Sequence, residues 1–191
     1  MKKIVILFSG DGFNAQNIVK QLHNKECVVL AGITNNADAK GIEKLQALGI
    51  KVETLEHTNF NSRIEFDEEL VRLIESYKPD LSVLSGFMRI LSTAFTSKVN
   101  SINLHPSLLP KYKGAKAIEE SFLGRDAIFG VSVHWVNGEL DGGEIILQKS
   151  LTRVNDDSFE IFKAKIRELE FEIMPKAIIK ALSSSTTQDK L

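Results

Sequence analysis

Only one cysteine, Cys27, occurs in the 191 residues of the chain, which excludes an intrachain disulfide. That cysteine and four scattered histidines offer no metal-ligand spacing. Charge of one sign is also missing. The 24 basic side chains face 25 acidic ones, for a net charge of −1 and a pI of about 6.4. No global field therefore draws the chain towards nucleic acid or an anionic membrane. Long apolar runs are absent at the N-terminus: Ile4 to Phe8 is too short for a signal-peptide core or a membrane span. Neither an internal repeat nor a domain linker interrupts the sequence. With 43% hydrophobic and 26% charged residues the composition is that of a globular protein. The expectation is a cytoplasmic chain with one domain over residues 1–182 and a polar tail over residues 183–191.

What is present is an alternation of two periods. KKIVILFSG is a continuous apolar run, which suits a strand buried on both faces. NAQNIVKQLHN follows with helical spacing through Ile18, Val19 and Leu22. CVVLAGITN is a second strand, and AKGIEKLQALG a helical segment closed by Gly49. KVETLEH is a short strand. SRIEFDEELVRLIESYK sets Ile64, Phe66, Leu70, Leu73 and Ile74 on one face of an amphipathic helix that Pro79 ends. DLSVLSGF and SINLH are further buried strands, with AIEESFLG helical after them. FGVSVHWV alternates, with Val131, Val133 and Trp135 against Ser132 and His134, and GEIILQKSL pairs with it as an antiparallel neighbour. The last helix is expected to start near Asp157 with Glu160 completing a capping box, and to kink or restart at Pro175. The fold class is α/β: a doubly wound, mostly parallel sheet of about seven strands, with an antiparallel C-terminal hairpin and a long C-terminal helix.

In such sheets ligands sit beyond the carboxyl ends of the strands. Four loops are expected to converge there: residues 10–14, 86–91 and 103–114, and the segment flanking the final hairpin. SGDGFN joins a strand to a helix N-terminus through two glycines. It is hospitable to phosphate, but a tight turn alone would use the same residues. It has neither a dinucleotide fingerprint nor a Walker loop. GFMRIL reads either as an arginine stretched over a core edge or as an apolar slot for a flat ring. In SINLHPSLLPKYKGA, Asn103 and His105 project from the same strand face, and HPSLLP redirects the chain. A histidine at a strand end is often structural. Here Asn103 supplies a donor for a developing oxyanion, and Asp141 in ELDGGE an acid that orients and charges an imidazole. No serine or cysteine elbow accompanies them, so acid–base and oxyanion chemistry on a carbonyl fits best.

The motifs FSGDGFN, GFMRIL, NLHPSLLPKYKGA, GVSVHWV and ELDGGEII, in this order and spacing, resemble the phosphoribosylglycinamide formyltransferases. The resemblance runs from about residue 3 to residue 180. It implies transfer of a formyl group from 10-formyltetrahydrofolate, a co-substrate, to the amine of glycinamide ribonucleotide in purine synthesis, with no metal. Asn103, His105 and Asp141 match the catalytic trio, with Asp141 favouring the charged form of His105. Gly12, Phe13, Asn14 and Ala15 match the loop around the ribonucleotide phosphate, and Glu170 a second contact to that substrate. Arg63 matches an arginine that meets the folate tail. Met88, Arg89, Ile90 and Leu91 match a folate-pocket wall, and residues 137–141 (Asn137, Leu140 and Asp141 among them, with Asn103 opposite) its polar side. A monomer or homodimer is implied, with no nucleic-acid or membrane partner.

The chain departs from the pattern in places. Phe13 stands where the family usually has serine, and Arg167 where it has glutamine, so Arg167 is expected to supply replacement charge to the phosphate. Lys113 and Lys116 stand for a proline and a histidine, and Phe171 for a histidine. Methionyl-tRNA formyltransferase and formyltetrahydrofolate hydrolase share part of the pattern. The first carries an extra C-terminal domain and the second an extra N-terminal one, which favours the small ribonucleotide as acceptor. A non-catalytic binding module would not need Asn103 and Asp141 beside His105.

Overall fold

The computed structural model describes residues 1–154 and 157–184. The elements in chain order are β1 (Lys3–Phe8), α1 (Phe13–Leu22), β2 (Val28–Thr34), α2 (Gly41–Gln46), β3 (Val52–Thr54), α3 (Arg63–Tyr77), β4 (Leu81–Leu84), α4 (Thr93–Thr96), β5 (Ser101–His105), α5 (Ala117–Gly124), β6 (Ile128–Trp135), β7 (Ile145–Thr152) and α6 (Phe159–Ser184). They build one seven-stranded sheet in the order β3-β2-β1-β4-β5-β6-β7. Strands β1 to β5 pair in parallel, whereas β6 runs antiparallel to both β5 and β7. The chain winds outwards from β1 to β3, then returns to β4 on the other side. The crevice of a doubly wound sheet therefore opens between β1 and β4.

The setting of β1 explains why its sequence is apolar from Ile4 to Phe8. Ile4, Ile6 and Phe8 enter one core with α1 and α6, while Val5 and Leu7 enter another with α3 and α4. With both faces covered from Ile4 to Phe8, no position there is left for a polar side chain, and only Lys3 at the start of the strand is exposed. In α1 the buried residues are Ala15, Ile18, Val19 and Leu22, the stripe expected of a helix lying on a sheet.

Four local expectations are corrected. Ile64 is 55% exposed and lies off the buried stripe of α3, which is carried by Phe66, Leu70, Val71 and Ile74. It stands in the first turn, at the mouth of a cavity instead of over the core. The capping box at Asp157 and Glu160 does not form. Ser158 is the cap, its Oγ accepting from the Ile161 N–H at 3.3 Å, and Asp157 pairs with Lys165 at 2.5 Å. Helix α6 also does not restart at Pro175 but continues through it, with Pro175 buried. Proline removes the N–H that would reach the Phe171 carbonyl one turn back. The Asn17 amide of α1 donates to that carbonyl at 2.9 Å, so the break in the ladder becomes a tie between two helices. Ser183 and Ser184, expected in the tail, complete α6; the tail from 185 onwards lies outside the described residues.

Candidate active site

Strand β5 ends where its burial is interrupted. Asn103 and His105, two residues apart, share one face, and the antiparallel register sets His134 opposite Asn103 and Ser132 opposite His105. Directly opposed residues point the same way, so four polar side chains form a square on one sheet face. His105 is buried, and one ring nitrogen, Nε2, donates to the Tyr112 carbonyl at 2.7 Å. That bond fixes the ring and leaves Nδ1 facing Asp141 Oδ2 at 3.4 Å. His134 is tied through Nδ1 to its neighbour's carbonyl, Trp135 O, at 2.8 Å, and presents Nε2 to Asn103 Nδ2 at 3.3 Å.

Asp141 reaches this square by a longer route than expected. The loop after β6 does not start at the carboxyl ends of the parallel strands. Because β6 is antiparallel, Val136 leaves the sheet beside Ser101, at the opposite end of β5. Residues 137–143 then fold back along the face, and Asp141 sits in the left-handed region at φ 48. An aspartate tolerates that backbone better than most side chains. Its Oδ2 accepts from the Gly114 N–H at 2.8 Å, and its Oδ1 lies 3.5 Å from Asn103 Nδ2 and 3.6 Å from His134 Nε2. Burial works to raise its pKa. The contacts from His134 and the Gly114 amide, with the charges of His105 and His134, outweigh burial and hold the carboxyl below the ordinary aspartate value. Asp141 is thus an anion at neutral pH, set between two imidazoles and an amide.

The loop over residues 106–116 walls the site and is pinned from behind. Ser132 Oγ, fully buried, donates to the Ser107 carbonyl at 2.6 Å and accepts from the Leu109 N–H at 3.0 Å. Gln148 of β7 donates to the Leu109 carbonyl and to Ser132 Oγ, both at 2.9 Å. Two lysines of this loop are paired, Lys111 with Asp126 at 3.0 Å and Lys113 with Glu139 at 2.7 Å, while Lys116 is exposed. The Lys113–Glu139 pair bridges the two loops that flank Asp141.

Between these loops and the β4–α4 connection lies a cavity of about 1030 Å³. Its walls include Asn103, His105, His134 and Asp141 together with Met88, Ile90, Leu91, Leu140, Asn137 and Arg63. Met88 is 69% exposed, far more than a core methionine would be. Arg89 lines the cavity, and its guanidinium lies 5.4 Å from the Phe66 ring at the core edge.

The other expected residues form a second cluster at the start of α1. Gly12 caps that helix at φ 67 with no side-chain acceptor, so the N–H groups of Phe13, Asn14 and Ala15 are the open end of the helix. Ala15 contributes only backbone there, because its methyl group is fully buried. Asn14 donates to Glu170 Oε2 of α6 at 2.8 Å. Burial pushes the Glu170 pKa up, against the Asn14 hydrogen bond and the Arg167 charge, which pull it down. The Arg167 guanidinium lies 4.7 Å from the centre of the Phe13 ring. Strand β4 alone separates β1 from β5, so the two clusters begin about 10 Å apart at the sheet edge. The β1 and β4 loops are also stitched together, with Ser9 Oγ accepting from the Met88 N–H at 2.7 Å.

Residues 2–178 match the family described as formyl transferase. This chain belongs to the formyl transferase family. It is 41% identical over 179 residues to a phosphoribosylglycinamide formyltransferase of Escherichia coli (strain K12), covering 92% of this chain and 84% of that protein. A Haemophilus influenzae protein of the same name is 37% identical, over 93% of this chain and 86% of its own length. The crystal structure of phosphoribosylglycinamide formyltransferase from Campylobacter jejuni superposes with a TM-score of 0.92 at 45% identity, covering 94% of this chain and 96% of that one. As a formyl transferase the chain is an enzyme that moves a formyl group, and Asn103, His105 and His134 of the polar square line the cavity together with Asp141. Three members of the site escaped the sequence reading: His134, Ser132 and Gln148. The alternation of FGVSVHWV did set Ser132 and His134 on one face. What it could not supply was the pairing with β5, which turns that face into part of the site.

Proposed function

We propose that this formyl transferase carries the formyl group of 10-formyltetrahydrofolate to the amine of glycinamide ribonucleotide, giving formylglycinamide ribonucleotide for purine synthesis. The observation that carries the reading is the meeting of Asn103, His105 and Asp141 in the wall of the cavity. The names of the Escherichia coli, Haemophilus influenzae and Campylobacter jejuni relatives support the choice of acceptor.

In this reading the amine nitrogen attacks the formyl carbon directly. As the C–N bond forms, the carbonyl π electrons move to oxygen. Asn103 Nδ2, by turning the hydrogen it shares with Asp141 Oδ1, and the Nδ1–H of charged His105 donate to that oxyanion. Asp141 stabilises the imidazolium and accepts a proton from the attacking amine. That proton then reaches the folate nitrogen, directly or through water, as the bond from carbon to that nitrogen breaks. Electrons and protons balance without a covalent enzyme intermediate.

The cavity would hold the folate, with Met88, Ile90, Leu91 and Leu140 against its ring system. Asn137 and backbone groups of residues 137–141 would meet its polar edge, with Arg89 in the wall and Arg63 at the mouth for the carboxylate tail. The ribonucleotide would lie across the sheet edge, its phosphate on the amides of Gly12, Phe13, Asn14 and Ala15 beside Arg167, and its hydroxyls towards Glu170. All these residues come from one chain, so a monomer or a homodimer would serve. A cytoplasmic setting goes with this chemistry, and no described helix is long and apolar enough to cross a membrane.

The test is a spectrophotometric assay with both substrates, run beside His105→Ala. Turnover that requires both and collapses in the variant is the expected result. Hydrolysis of the folate without the ribonucleotide would instead assign a hydrolase, and binding of both without turnover a non-catalytic module.

A further inference from the structure

The first turn of α1 carries a feature that a phosphate loop does not need. Phe13 is 37% exposed, an aromatic ring left at the surface of that turn. Two cations from different helices are held against it: Lys44 Nζ of α2 stands 3.9 Å from the ring centre, and the Arg167 guanidinium of α6 stands 4.7 Å away. Both distances are within the range of attraction to an aromatic face. Lys44 is fixed further by donating to the Asp11 carbonyl at 2.5 Å. Among the described residues neither Lys44 nor Arg167 forms an ion pair with a carboxylate.

Two like charges brought to one ring repel each other, and they stand beside the open N–H groups of a helix start, which is itself electropositive. Acceptors are set next to this donor-rich end. Asn14 Oδ1 is buried without a hydrogen-bond partner, and Glu170 lies against the amide of the same residue. A group of cations beside a pair of acceptors matches the polarity of a sugar phosphate, an anion joined to hydroxyl donors.

We propose that Phe13 is a positioning residue that holds Lys44 and Arg167 as a two-cation clamp, and that Lys44 contacts the phosphate of the ribonucleotide. The proposal rests on the acceptor named above being the substrate of this site. A phenyl ring thus replaces a polar side chain at the phosphate loop by organising charge delivered from two neighbouring helices. The clamp also makes α2 part of the substrate site, which the cluster of α1 and α6 residues alone does not.

Lys44→Met keeps the length of the side chain and removes its charge. The expected result is a KM for glycinamide ribonucleotide raised about five- to tenfold at unchanged kcat, the scale of one partly exposed charge meeting a phosphate. The inhibition constant of inorganic phosphate should rise by the same factor. Phe13→Leu should raise both constants, and Phe13→Tyr, which keeps the aromatic face, should restore them. Glycinamide riboside, which lacks the phosphate, should react equally well with wild type and Lys44→Met; a general structural defect would impair both substrates. Unchanged KM and phosphate inhibition in Lys44→Met, beside normal wild-type turnover, would overturn the clamp and leave the proposed reaction standing. Calorimetric phosphate binding that depends on Lys44 in a protein with no turnover would support the clamp and remove the proposed reaction.

Discussion

Replacing Asp141 by asparagine tests the centre of the site most directly. The substitution keeps size and one acceptor, so the Gly114 N–H can still be met and the left-handed backbone at φ 48 suits asparagine as well as aspartate. What is lost is the charge 3.4 Å from His105 Nδ1, between side chains that are 5% and 7% exposed. At an effective dielectric of about 20, two unit charges at that separation interact by about 5 kcal/mol. That sets the upper bound on how far Asp141 favours an imidazolium as the oxyanion forms. The bound corresponds to between three and four powers of ten in rate, within reach of the 10²- to 10⁴-fold range of positioned acid–base groups. We therefore expect kcat for formyl transfer to fall about a thousandfold, with KM values changed by less than about fivefold and the melting temperature near that of the wild type. The assay is steady-state turnover with both substrates, with thermal unfolding alongside. A variant within tenfold of wild-type kcat would refute the role given to the carboxylate. So would a loss of rate accompanied by a collapse in stability.

Ser132→Ala removes a hydroxyl that bonds Ser107, Leu109 and Gln148, and leaves a buried N–H on Leu109. Unfolding free energy in urea should fall by about 2–3 kcal/mol, and the KM for folate should rise as the 106–116 loop loosens. Gly12→Ala sets a methyl group 2.5 Å from the Gly41 Cα on a backbone at φ 67, so α1 and α2 must part. Calorimetry should show a lower melting temperature, and ribonucleotide binding should weaken more than folate binding. Glu170 has a raised folded-state pKa, so its stabilising contribution is present below the unfolded value and is lost as pH rises through the folded one. Glu170→Gln should therefore stabilise the free enzyme near neutral pH while raising the KM for the ribonucleotide. A melting temperature unchanged at pH 7 and at pH 4 would contradict that sign.

What the sequence discloses here depends on how local the cause is. The parallel half was legible because each strand buried on both faces must be apolar throughout, and each covering helix must carry a stripe. Ile4 to Phe8 and the Ile18, Val19, Leu22 triplet state that directly. Asn103 and His105 stood out because polar residues end an apolar run, which a purely structural strand would avoid. The helix cap at Ser158 and the continuation of α6 through Pro175 without a restart were not legible, because each is settled by a partner far along the chain or by competition between adjacent caps. Asn17, which takes over the Phe171 carbonyl, lies on another helix and carries no mark of that duty. His134 and Lys44 were missed for the same reason: the first becomes meaningful only through the β5–β6 register, the second only when α2 meets the start of α1.

The reversal of strand direction at β6 makes the meeting of Asn103, His105 and Asp141 possible. A parallel strand beside β5 would need a crossover connection, and its following loop would leave at the same end as residues 106–116. That loop would compete for the space the 106–116 wall occupies. An antiparallel β6 sets Ser132 and His134 directly opposite His105 and Asn103, and releases its loop at the far end of β5. The returning segment must then cross the face to reach the Gly114 amide, and the acid arrives from the side not already filled by the histidine's own loop. The same hairpin hands Gln148 to the Leu109 carbonyl, so one element both supplies the acid and braces the wall that holds His105 through Tyr112. Orientation of the imidazole and placement of its carboxylate are therefore coupled through β6 and β7. In the proposed reaction, a disturbance of that hairpin should impair turnover before it weakens binding at the cluster around the start of α1, on the far side of β4.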